Sequence, residues 1–188
     1  MKKPQVVLKN IKTFKGMEGY GLNADIYING MKCMFVIDSA NGGEFDYSDY
    51  SHNNPQAGQM KANIKLLTDY IANLPEEPLI INDKPYMKDG QVVMMKTNMD
   101  MYINDILVKQ EEQKAEEKFE KAKLKMQVHS FLFGVPNAKE YRYIKYGKPL
   151  SAFEKGNLQQ VYNAVKVKYC INNIVILNTN LKALGLTI

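Results

Sequence analysis

The chain is short of the residues on which most catalytic and metal chemistry rests. Its 188 residues include two cysteines, Cys33 and Cys170, and two histidines, His52 and His129. The cysteines lie far apart on apolar stretches that read as core. No second pair accompanies them, so a cysteine-based zinc site is excluded and a reduced, cytoplasmic setting is expected. Long apolar runs are missing too. None approaches the roughly 18 residues that span a bilayer, and after the first lysines only Val6, Val7 and Leu8 run together, too few for a signal-peptide core. The expectation is a cytoplasmic protein without membrane contact.

Catalytic motifs are equally scarce. There is no G-x-S-x-G, no phosphate-binding P-loop, and no G-x-G-x-x-G opening a helix. Gly16-x-x-Gly19-x-Gly21 lies between strands and reads as a turn. His129 falls on a predicted strand, where a core or edge role accounts for it. His52 lies near acids but has no paired serine or cysteine nucleophile. A protein that is not an enzyme and carries no cofactor is the expectation.

Apolar residues make up 45% of the chain, enough for one sizeable domain or two small ones. The net charge of +5 conceals a strong polarity. Residues 1–15 carry five lysines and no acids, and residues 16–83 carry three lysines against ten acids. From Lys121 onward eleven basic residues face two acids. Such polarity bears on partners and steering rather than on fold.

The stretch 16–50 organises the rest. Leu22, Ala24, Ile26 and Ile28 alternate with polar residues, which is the period of a strand with one buried face. Asn29-Gly30 follows, and both tolerate the positive φ of a type I′ turn. Met31, Cys33, Phe35 and Ile37 then alternate with Lys32, Met34, Val36 and Asp38 in a central strand. Gln5–Phe14 reads as a first strand, with Val6, Leu8 and Phe14 on one side and Val7 and Ile11 on the other. The result is a three-stranded antiparallel meander, covered by a helix over Ala57–Leu74 that ends before Pro75.

The fold class is therefore α+β: an N-terminal meander-plus-helix lobe over 1–77, then a long polar helix and a second small α+β unit over 78–188. Pro75–Pro78 is the spacer between them. Asp89-Gly90 is a second hairpin signal. Asn98 to about Val128 is the longest helical pattern, with a middle so charged that it suits a bridge, a projecting arm or a partner helix. Strands at His129–Val135 and Glu140–Tyr146 follow, then a helix capped by Asn157 and a strand at Ile174–Leu177.

Two candidate sites emerge. Lys139, Arg142, Lys145 and Lys148 interleave with Tyr141, Tyr143 and Tyr146, a pattern that can stack bases and neutralise phosphate; alternating tyrosines on a half-buried strand are the ordinary alternative. Asn41-Gly42-Gly43 opens a segment containing Glu44, Asp46, Asp49 and His52. A solvated acidic loop for a basic partner accounts for it, and a divalent-metal site serving a phosphodiesterase is the competitor. No metal is expected.

GMEGYGLNADIYING and DSANGGEFDY share the pattern GxGxNAxxYxxG…D…NGG. In this the chain resembles small accessory proteins carried by phages and mobile elements, over about 35 of its 188 residues. The resemblance implies a protein that binds and blocks host defence machinery, CRISPR effectors included, in the host cytoplasm. It transfers no functional residue. Partners expected from the whole reading are a protein or ribonucleoprotein complex, with direct nucleic-acid binding as the alternative and homo-oligomers also compatible.

Overall fold

A computed structural model describes residues 2–188 and has the expected α+β class. It comprises two compact units, Met1–Gln110 and Glu111–Ile188. The division falls inside the long helix rather than at the Pro75–Pro78 spacer, because Ile103 and Leu107 of that helix belong to the core of the first unit.

In the first unit, β1 (Val6–Lys15), β2 (Tyr20–Ile28), β3 (Met31–Asp38) and β4 (Asp46–Asp49) form an antiparallel sheet in sequence order. The meander thus has four strands, not three. The β2–β3 turn is the expected one, with φ of 51° at Asn29 and 83° at Gly30. Helix α1 (Ala57–Ala72) buries Met60, Leu67 and Ile71 against one face of the sheet, where Leu8, Ile26 and Val36 meet it. Burying each such side chain is worth about 1.5–3 kcal/mol.

Two bulges decide which residues share a face. In β1, Lys9 pairs with Asp25 and Lys12 with Asn23, so Asn10 and Ile11 together oppose one residue of β2. Asn10 has a φ of 53°, in the left-handed region that asparagine tolerates best among side-chain-bearing residues. In β3, Lys32 pairs with Tyr27 and Met34 with Ile26, leaving Cys33 as the extra residue. Simple alternation therefore fails at both places. Phe14 lies beyond the first bulge, opposite Gly21, and does not share the face of Leu8; Lys32 shares a face with Phe35, not with Met34. Gly21 is required here, since a Cβ would collide with the Asp38 carbonyl and come within 2.8 Å of the Phe14 ring.

Between α1 and the long helix the chain makes a three-lobed cluster of short pairs. β5 (Glu77–Pro78) pairs with β10 (Met94–Met95), β6 (Ile80–Ile81) with β7 (Lys84–Pro85), and β8 (Met87–Lys88) with β9 (Gln91–Val92). At the centre Leu79 N–H donates to Val93 O, Val93 N–H to Tyr86 O, and Tyr86 N–H to Leu79 O, at 2.7–2.9 Å. These residues are seven apart. Turns at Asn82-Asp83 and Asp89-Gly90, all with positive φ, close two of the lobes. Asp89-Gly90 was legible as a hairpin; the seven-residue repeat was not.

Helix α2 (Met99–Met126) starts at Asn98, whose Oδ1 accepts from Met101 N–H at 2.9 Å. An Asn98→Ala change is expected to cost about 1 kcal/mol, read as a lowered denaturant midpoint at an unchanged slope. Farther along the helix, the Gln110 side chain accepts from Leu8 N–H at 2.8 Å and donates to Leu8 O at 3.1 Å. It thereby satisfies the Leu8 backbone groups on the outer edge of β1, which would otherwise be unpaired.

The second unit is a three-stranded sheet, β11 (Ser130–Gly134) flanked by β12 (Arg142–Lys145) and β13 (Val175–Ile176), with α3 (Lys155–Tyr169) packed on it. Phe131, Leu158, Tyr162 and Val165 form its centre. Asn157 lies in the first turn of α3 and is not its cap, because the helix begins two residues earlier, after Glu154. No helix among the described residues is long and apolar enough to cross a membrane.

Candidate functional site

The helices of the first unit contribute to a single core on one side of its sheet. The residues of the opposite face are exposed or half-buried, apart from Gly21 and Asp25. Three cross-strand rows define that face. Val7, Tyr27 and Lys32 form one row, Lys9, Asp25, Phe35 and Ser48 the next, and Lys12, Asn23, Ile37 and Asp46 the third. The two bulges create it. Lys9 and Lys12 are three apart, as are Lys32 and Phe35, and an unbroken strand would put the members of each pair on opposite faces.

Asp25 lies at the centre, 4% exposed. One carboxylate oxygen accepts from Tyr50 O–H at 2.7 Å; the other accepts from Asn10 Nδ2 at 2.7 Å and from Lys32 Nζ at 3.0 Å. Burial pushes this carboxyl up, but donation from Tyr50, Asn10 and Lys32 outweighs it and holds the group below its ordinary value. Lys32 is correspondingly held above the usual lysine range, chiefly by its hydrogen bond to Asp25. Asp25 thus remains ionised but neutralised, and the face presents no bare negative charge at its middle.

Around this pair the face is aromatic and basic. Lys9 Nζ lies 4.2 Å from the centre of the Tyr27 ring, and Lys32 Nζ 4.2 Å from that of Tyr50. Phe35 is half-buried and is not part of the core cluster beneath the sheet. Beside it lies a shallow open depression of about 470 Å³, lined by Asn10, Ile11, Lys12, Asn23, Asp25 and Phe35.

Of the residues expected from sequence, only Asp46 reaches this face, as an exposed carboxylate at its β4 edge. Asp46–Asp49 is edge strand β4, not a loop, so Asp46 and Asp49 project to opposite sides. Asp49 Oδ1 accepts from Ser51 Oγ at 2.7 Å and from Ser51 N–H at 2.9 Å, which lowers its pKa. Glu44, Asp46 and His52 are exposed. Among the described residues no group of three His, Cys, Asp or Glu side chains could hold a metal ion.

In the second unit the tyrosines have separate fates. Tyr141 packs on Phe119 with ring centres 5.5 Å apart. Tyr146 lies edge-on to Phe131 and Phe153, and Lys148 Nζ sits 4.3 Å over Phe153. Tyr143 is 50% exposed, and Lys139, Arg142 and Lys145 are exposed. Folding therefore gives intramolecular ring partners to two of the three proposed stacking rings.

The open sheet face escaped the sequence reading. Two signals for it were present: the acid-free lysine run of residues 1–15, and an asparagine inside a strand at the point where lysine spacing changes. Comparison with known proteins adds nothing to the geometry: no family model, no curated protein and no solved structure matches the chain.

Proposed function

We propose that this protein is a non-enzymatic binding protein that engages a nucleic acid or ribonucleoprotein partner through the open face of its N-terminal sheet. The observation that carries this reading is the coincidence, on one uncovered face, of Lys9 and Lys12 with Phe14, Tyr27 and Phe35. Rings on a sheet stack unpaired bases, and interspersed cations neutralise the backbone. The exposed Arg142, Tyr143 and Lys145 of β12 favour a further phosphate contact in the second unit. A ribonucleoprotein partner also suits the phage-accessory resemblance, which implies binding to host defence machinery, CRISPR effectors included.

The test is a salt titration of single-strand binding followed by fluorescence anisotropy. Each neutralised phosphate contributes about −0.7 to the slope of log affinity against log salt for single strands. The Lys9→Ala/Lys12→Ala protein should therefore bind more weakly, with a slope shallower by about 1.4. Absence of binding at low salt, or an unchanged slope in that variant, would overturn the reading.

A further inference from the structure

The depression beside Phe35 has a chemistry more particular than a charged, aromatic surface. Asn10, which lines the depression, spends one N–H on Asp25, and its amide oxygen accepts no side-chain or backbone bond among the described residues. Asn23, across from Lys12, lines the same depression, and its side chain makes no hydrogen bond within the described protein that competes for it. The lining residues thus bring two amide oxygens, the Asn23 amide N–H pair and the remaining Asn10 N–H to the depression, together with Lys12 and Phe35. Both asparagines are held by backbone. The bulge aims Asn10 and the β2 register fixes Asn23.

Resting on the function proposed above, we infer that this depression is a subsite for one unstacked base whose Watson–Crick edge sets an exocyclic amino group beside an acceptor ring nitrogen, adenine or cytosine, in a single strand. The base lies against Phe35. Its ring nitrogen accepts from the Asn23 amide, its exocyclic amino group donates to the Asn23 and Asn10 oxygens, and Lys12 meets the adjoining phosphate. An amide matches such a donor–acceptor pair in two parallel hydrogen bonds. Uracil and thymine present a carbonyl oxygen where the amino group would be, and that oxygen would face the acceptor of Asn10. A Watson–Crick duplex is excluded because the ring nitrogens of that edge are already paired and its bases are stacked.

Short homo-oligomers of A, C and U, the deoxy-A oligomer and a mixed-sequence duplex serve as probes. Oligo(A) and oligo(C) should bind about tenfold or more tighter than oligo(U), and the duplex more weakly than any of the single strands that bind. Deoxy-A and ribo-A should be bound alike, since no group is assigned to the 2′-hydroxyl. Asn23→Ala should weaken oligo(A) and oligo(C) while leaving the salt slope intact. Asn10→Gly, which retains the left-handed backbone, should bring oligo(A) toward the oligo(U) level. Equal affinity for all homo-oligomers, or a preference that survives Asn10→Gly, overturns the subsite while the broader reading stands. Failure of every strand to bind at low salt overturns both.

Discussion

Phe35→Ala is expected to weaken single-strand binding about 5- to 150-fold, the range for removing one base-stacking ring. Phe35 lies opposite Asp25 and Ser48 on the uncovered face and stands outside the core cluster. Its loss should therefore cost no more than the roughly 0.2–1 kcal/mol of a cross-strand pair, and the melting temperature should barely move. The chain's lack of tryptophan permits a direct test. Phe35→Trp introduces a single reporter at the proposed contact, whose emission should change on adding oligonucleotide at an affinity close to that of the parent. If the alanine variant binds normally and the tryptophan emission is indifferent to the strand, the face is not the binding surface.

Asp25→Ala should destabilise the protein by about 2–3 kcal/mol at neutral pH. Three donors, Tyr50, Asn10 and Lys32, lose their acceptor at once, and hydrogen bonds to a buried charge are among the costly ones to remove. The Lys32 side chain is 39% exposed and can rehydrate, which keeps the loss below that of a fully buried pair. The sign with pH follows from the lowered carboxyl. Its stabilisation is complete above the ordinary aspartate value, near 4, and is lost as pH falls through the folded value below it. Denaturant midpoints should thus drop more steeply from about pH 5 to pH 2 for the parent than for Asp25→Asn. Asp49, also lowered, titrates in both proteins and cancels in the comparison. Parallel acid profiles would refute the assignment.

The sequence alone determined the elements that depend on local chemistry. The Asn29-Gly30 turn, the alternating β2 strand and the α1 and α2 helices follow from backbone tolerance and apolar period, and they appear where those rules put them. Even the missed three-lobed cluster rests on turn residues that could be read, Asn82-Asp83 and Asp89-Gly90. What tertiary structure decided is which residues face one another. One inserted residue in β1 and one in β3 reverse the alternation, and only pairing with β2 reveals where the insertion falls. That pairing brings together Lys9, Lys12, Asn23, Lys32 and Phe35, residues spread over 27 positions that no spacing rule connects. The same limit applies to the C-terminal patch, where interleaved tyrosines look alike until Phe119, Phe131 and Phe153 occupy two of them. Periodicity specifies a strand; register specifies its faces, and register is a property of two strands.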